Sequence, residues 1–197
     1  MKFDGLKIGF AITGSHCTIH EVTQVMKQLV DEGAEVTPII SYSVNSMDTR
    51  FGKAEDWKRQ FKEITQKEII QTIPEAEPVG PKKMFDCVVI APCTGNTLAK
   101  LANGIIDTPV LMAAKSHLRN QKPVVLAISS NDGLGLNARN IGTLLITKNV
   151  YLVPFGQDNP AVKANSLVAH MDKIPDTILM AHAGKQIQPV LMDYSVK

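Results

Sequence analysis

Between Leu6 and Ile40 the spacing of apolar residues changes period twice, and this constrains the fold more than any other stretch of the chain. Leu6 to Thr13 (Leu-Lys-Ile-Gly-Phe-Ala-Ile-Thr) is a short, mainly apolar run of the kind a buried strand requires. It breaks at Gly14-Ser15. From Ile19 the apolar side chains return at Val22, Val25, Met26, Leu29 and Val30, a helical stripe closed by Gly33. Ala34 to Ile40 then reads as a second strand. Two strands joined through a helix lie parallel, and the crossover between them is right-handed.

The pattern continues along the chain. Residues 41–55 are small and polar and suit a loop at the carboxyl end of the second strand. Trp57, Phe61 and Ile64 mark one face of a helix expected to run to about Thr72. Pro74, Pro78 and Pro81 argue against any regular element in the connection that follows. A third apolar run starts at Phe85 and stops at Pro92, and past it Leu98, Leu101, Ala102 and Ile105 announce a helix. Pro109, well placed at a first helical position, opens another with Val110, Leu111, Ala114 and Leu118. Val124 to Ile128 is a fourth strand, followed by the polar loop Ser129 to Gly135 and a helix carrying Ile141, Leu144 and Leu145. Val150 to Val153 is a short last strand. Val162 to His182 reads as helical except near Pro175, and the tail from Gln186 as irregular or docked on a neighbouring subunit.

Strands near 6, 34, 85, 124 and 150, most followed by a helix, describe an α/β fold: a three-layer, doubly wound parallel sheet, Rossmann- or flavodoxin-like. A hydrophobic fraction of 44% in 197 residues supports one well-packed core and is short for two. One domain over residues 1–197 is expected, with 186–197 as a tail.

In this architecture ligands sit outside the carboxyl ends of the strands, where strand order reverses. Loops Gly14–Cys17, Ser41–Asn45, Pro92–Thr97 and Ser129–Gly135 would converge there. Gly14-Ser15 before a helix offers backbone N–H groups and a hydroxyl to a phosphate, or simply a turn and a cap. It is neither G-x-G-x-x-G nor a Walker loop, which points to a mononucleotide phosphate rather than NAD or ATP. Thr94, Asn96 and Thr97 are more polarity than one helix cap needs, and Asn96 both donates and accepts, as a ring edge or a carboxylate requires. Cys93 is either a thiol activated beside a helix start or a small buried residue. His16 and His20 stand four apart without a third ligand, so no metal site is expected. His16 nonetheless lies where Gly14-Ser15 would hold a ligand. His117, His170 and His182 read as surface or packing residues.

Charge and cysteine content narrow the class further. A formal charge of +2 without blocks of like sign gives no footprint for nucleic acid. Asp4 interrupts the apolar amino-terminal stretch, which is far below the roughly 20 residues of a membrane span, so a cytoplasmic protein is expected. Cys17, Cys87 and Cys93 show no C-x-x-C spacing and read as reduced thiols.

Ala91-Pro92-Cys93-Thr94-Gly95-Asn96-Thr97, continuing through Ala102-Asn103-Gly104 to Asp107, resembles the P-A-S-A-N-T…A-N-G…D signature of flavoproteins. That family includes phosphopantothenoylcysteine decarboxylase, lantibiotic cysteine decarboxylases and flavin prenyltransferases. Ile12-Thr13-Gly14-Ser15 resembles its first flavin loop. The resemblance implies FMN, held by Gly14, Ser15, Ser41, Ser43, Pro92, Thr94, Thr97, Ser129 and Ser130, with Asn96 and His16 in catalytic positions. It also implies a homo-oligomer, a trimer or a multiple of one. A closer likeness within the family, carried by Gly9–Cys17, Ala91–Thr97 and Ser129–Gly135, implies an oxidoreductase subunit whose partner subunit carries its own NAD(P) site. A substrate carboxylate could pair with Arg139. Residues 34–84 lack the histidine of the decarboxylases, and their P-A-M-N segment and the prenyltransferases' arginine-glutamate-threonine-proline run are also missing. A self-sufficient decarboxylase or prenyltransferase is thus the weaker alternative. A non-catalytic module that organises a partner is the other.

Overall fold

The computed structural model describes residues 1–194. Its frame is the amino-terminal crossover: β1 (Lys7–Ile12), α1 (Ile19–Asp31) and β2 (Glu35–Ile40), with the strands parallel from Lys7–Glu35 to Ile12–Ile40. Ile19, Val22, Val25, Met26 and Leu29 form the buried face of α1. Gly33 lets the chain turn back at φ +100°, a conformation that a β-carbon disfavours.

The next segment, α2 (Tyr42–Ser46), α3 (Ala54–Thr65) and α4 (Ile73–Ala76), departs from expectation in three places. The loop after β2 winds into the short α2, with Ser41 as its cap. Helix α3 stops at Thr65 rather than near Thr72, because Ile70 leaves to pair with the sheet edge. Its N–H donates to Pro38 O (2.9 Å) and its carbonyl accepts from Ile40 N (3.0 Å). The proline-rich connection is not free of regular structure either. Pro74 sits in the first turn of α4, where its missing N–H is not needed, and Thr72 and Glu75 cap that turn reciprocally.

Strand β3 (Cys87–Thr94) runs on through Pro92 instead of stopping there. Helices α5 (Gly95–Ala102) and α6 (Pro109–Arg119) follow, then β4 (Val124–Ser130). The β3–β4 ladder shifts register between Ile90 and Cys93, which accommodates a residue without an N–H. The chain continues with α7 (Ala138–Leu145), β5 (Val150–Leu152), β6 (Phe155–Gly156), β7 (Leu167–Ala169) and α8 (Ile174–His182).

Strand order is β2-β1-β3-β4-β7-β6. Strand β5 lies parallel to the first half of β4, and β7 lies antiparallel to Ser129 and Ser130 on the same edge. The sheet is therefore mostly, not wholly, parallel. Residues 162–170 are not helical as expected: Leu167 and Ala169 are buried as a strand, a 3-10 turn follows at Met171–Lys173, and α8 begins at Ile174, with Pro175 in its first turn. The described part of the tail is irregular, as expected, apart from one bridge at Leu191, and it docks on this chain's own sheet edge. Phe155 N donates to Val190 O (3.0 Å) and Met192 N to Phe155 O (3.0 Å). Residues 195–197 of the expected tail lie outside the described residues.

Strands β3 and β4 are buried along nearly their whole length, as a sheet covered on both faces demands. Helices α1 and α8 pack side by side on one face, and α4, α5, α6 and α7 form a packed group on the other. Each large aliphatic side chain enclosed there contributes about 2 kcal/mol. That interior holds the carboxyl ends of β1, β2, β3 and β4 in line, and the polar loops rise from them.

Candidate functional site

Side chains join the first, third and fourth loops, and the second lies in close contact with the first. Thr13 directly follows β1 and is 1% exposed; its Oγ1 donates to Pro92 O (2.6 Å) and accepts from Thr94 N (3.1 Å). This ties the first loop to the third. Ser15 Oγ lies 2.7 Å from Ser129 Oγ, tying the first to the fourth. A β-carbon at Gly14 would come within 2.5 Å of Ser43 Oγ, and one at Gly95 within 2.6 Å of Ser130 Oγ and 2.7 Å of Asn137 Nδ2. Glycine at both positions is what lets the loops close on one another.

Within this cluster the expected residues divide into framework and free groups. Thr94 Oγ1 accepts from Thr97 N (3.3 Å), and the two hydroxyls are 3.0 Å apart. Two of the three polar residues thus serve the cap of α5, contrary to the view that a cap explains only one. Asn96 is exposed and makes no hydrogen bond among the described residues, so its amide is free. Pro92 is buried and offers its carbonyl to Thr13. Ser41 Oγ lies 3.0 Å from Ser43 Oγ and accepts from Val44 N (3.5 Å). Ser130 Oγ accepts from Asp132 N (3.2 Å), which shapes the fourth loop.

His16 is half-buried. Its Nδ1 is sealed from water and has no hydrogen-bond partner, and its Nε2 lies 3.7 Å from the point a Gly14 β-carbon would occupy. Desolvation lowers its pKa, so the imidazole is neutral at neutral pH. Cys93 is fully buried, and that burial pushes its thiol far up. The activated-thiol reading is excluded, because β3 continues past Pro92 and carries Cys93 into the sheet. The exposed thiol is Cys17, with Sγ 3.7 Å from Ser15 Oγ. Arg139 is exposed on α7 and makes no ion pair among the described residues.

Sequence reasoning missed Thr13, Asp132, Asn137 and Asn140. A hydroxyl as the last residue before the glycine turn was the available signal for Thr13. Asn137 and Asn140 sit three apart at the start of a helix, a spacing that puts both on one face. Among the described residues no group of three histidine, cysteine or acidic side chains is placed to hold a metal, and no helix is long and apolar enough to cross a membrane.

A doubly wound sheet with this glycine-serine loop and this strand-to-α5 junction defines a class, and the family model described as Flavoprotein matches residues 2–178. The chain belongs to the Flavoprotein family. It is 51% identical over 189 residues to the B subunit of dipicolinate synthase from Bacillus subtilis (strain 168), covering 96% of this chain and 94% of that one. The crystal structure of the dipicolinate synthase B subunit from Bacillus halodurans C matches with a TM-score of 0.91 at 54% identity, covering 98% of this chain and 99% of that one. Burkholderia xenovorans DmrB, solved in complex with FMN and described as a cubic protein cage for redox transfer, is 20% identical. Its TM-score is 0.62, over 75% of this chain and 87% of that one, and it shows the fold alone.

Proposed function

We propose that the chain acts as the B subunit of a dipicolinate synthase, an oxidoreductase of sporulating cells. The reaction converts a dihydrodipicolinate-type precursor to pyridine-2,6-dicarboxylate in the cytoplasm. The observation that carries this reading is the end-to-end identity with a dipicolinate synthase B subunit, in sequence and in fold. Aromatisation removes two electrons and two protons from the ring, as a hydride and a proton. The hydride acceptor is NAD(P) on the partner, the A subunit of dipicolinate synthase, or FMN on this chain.

One feature of the site fits FMN: His16 Nδ1, beside the loop where Gly14 lets Ser43 approach closely, is a polar atom without a partner. Gly14 and Ser15, before the first turn of the helix leading into α1, would hold the phosphate through the Gly14 N–H and the Ser15 hydroxyl, the Ser15 N–H being taken by Thr13 O (2.8 Å). Ser41 and Ser43 would border the ribityl chain, with Pro92, Thr94, Thr97, Ser129 and Ser130 forming the wall around the ring. Bound FMN supplies a reversible two-electron acceptor. Asn96 would orient the ring edge or a substrate carboxylate with its free amide. His16, neutral at neutral pH, would take the proton that aromatisation releases.

Self-association is part of the same reading. An apolar groove of about 150 Å³ runs between the end of α5 and α6, lined by Leu101, Ile105, Ile106, Leu111 and Leu118. Ile105 is 47% exposed there, which suits a homo-oligomer. The test is a visible absorption spectrum of the purified chain with and without added FMN, followed by turnover with and without the A subunit. Flavin bands and strict dependence on the A subunit are expected. Turnover by the chain alone would replace this reading with a self-sufficient enzyme, and an unchanged partner rate without it would leave a non-catalytic module.

A further inference from the structure

Helix α7 supports the candidate site without adding a group that faces it. Asn140 is 6% exposed; its Oδ1 accepts from Asn103 Nδ2 just past the end of α5 (3.4 Å), and its Nδ2 donates to Asn137 Oδ1 (2.9 Å). Asn137 Nδ2 donates to Asp132 Oδ2 (3.5 Å) and lies against Gly95, the first residue of α5. Asp132 Oδ1 accepts from Leu136 N (3.2 Å), and Asp132 N donates to Ser130 Oγ (3.2 Å).

The direction of this chain of amides follows from its last member. An ionised carboxylate only accepts, so Asn137 must turn Nδ2 toward Asp132 and Oδ1 toward Asn140. Asn140 must then offer Nδ2 to Asn137 and Oδ1 to Asn103. Helix α7 and its cap thus hold the far end of α5 and the fourth loop through a single line of hydrogen bonds, while Asn137 packs against the first residue of α5. Asn140 is the buried member and the others are half-buried or exposed; a polar line in which every member is paired specifies one arrangement, whereas an apolar contact would allow sliding.

We infer that Asn137 and Asn140 are positioning residues for the ligand, setting Asn96 on α5 and Ser129 and Ser130 on the fourth loop to face one molecule. The inference rests on the FMN reading for the identity of that ligand. Asn137→Asp sets a second carboxylate against Asp132 and removes the donor. Asn137→Ser is too short to reach and adds no charge. Adding Asp132→Asn to Asn137→Asp restores the pair with donor and acceptor exchanged. The new amide donates to the new carboxylate and still accepts from Leu136 N.

The experiment is an FMN fluorescence titration of the full chain, together with amide hydrogen exchange over residues 95–98 and 129–136 without ligand. Asn137→Asp is expected to weaken FMN by about tenfold and to speed exchange in both segments. The double variant should recover to within about twofold, while Asp132→Asn added to Asn137→Ser should recover nothing. A wild-type chain that takes up no FMN would refute the flavin reading, and the exchange comparison alone would then decide the positioning role. Unchanged exchange in both single variants, or a folded double variant that recovers neither readout, would overturn the inference. Should Asn137→Asp fail to fold, Asn137→Ser carries the same comparison.

Discussion

At the amino ends of β1 and β3 the polar groups satisfy one another. Lys122 Nζ donates to Phe85 O (2.7 Å) and to Asp86 Oδ1 (3.3 Å), and Asp86 Oδ2 accepts from Lys7 N (3.1 Å). Burial would raise the Asp86 carboxyl pKa, but the Lys7 N–H and the Lys122 ammonium outweigh it and hold it low. At the carboxyl ends the hydroxyls pair only far enough to join the loops, and Asn96 and His16 Nδ1 are left over. The amino end has one exception. His117 is 1% exposed with neither nitrogen in a well-formed hydrogen bond, and its pKa falls to about 4, chiefly through burial, which outweighs the weak opposing pull of the Asp86 and Pro123 backbone. The unpaired group at one end is sealed and acts on stability. At the other end the Asn96 amide is exposed, where a ligand can reach it, and His16 is half-buried with its Nδ1 sealed.

Four experiments test that division. Asn96→Ala should lower turnover of the reconstituted complex by about 100-fold while unfolding free energy moves by less than about 0.5 kcal/mol. Lost stability with retained turnover would erase the difference between the two ends. For His117 the unfolded chain binds a proton near the ordinary 6.5 and the folded chain only near 4. Its contribution is intact above the upper value and is lost as pH falls toward the lower. Urea unfolding should therefore show a loss of roughly 2 kcal/mol from this residue between pH 7 and pH 5. His117→Leu should remove that part of the slope; an unaltered slope would show that the sealed histidine is not its source.

Gly14→Ala should weaken FMN by about tenfold, because the added methyl meets Ser43 Oγ, and Ser43→Ala in the same chain should recover part of the loss. An equal loss in both would mean that the close approach is not what matters. The smallest effect belongs to the thiols. An alkylating reagent should modify Cys17 and spare Cys87 and Cys93 in the native chain, and Cys93→Ala should hold turnover within about twofold. Rapid labelling of Cys93 would show the third loop opening.

Legibility in the sequence followed range. The β1–α1–β2 crossover could be read because each of its elements is long enough to show its own period. Residues 162–178 misled because Leu167, Met171, Ile174 and Ile178 recur at three and four residues, as in a helix. Yet Leu167 belongs to a three-residue strand whose partners, at 129–130 and 155–156, lie outside any local window. The same is true of Ile70, whose pairing with β2 ends α3 early. At the site, the positions of the loops followed from the fold rule, and the roles within them did not. A threonine that caps a helix and a threonine that binds a ligand look alike in sequence. So do a surface asparagine and the buried Asn140.

The shared edge of β4 has an evolutionary consequence. Strand β5 pairs with its first half and β7 with its second, so between Val153 and Ser166 the chain leaves the line of β4 and returns from the opposite direction. Strand β6 (Phe155–Gly156) is held in register on β7, but no strand register fixes the length of the segment from Gln157 to Ser166, and loop entropy rises only slowly with added residues. Insertions there would leave Ser129, Ser130 and the core in place. A lineage can therefore change what stands beside the fourth loop without rebuilding the site.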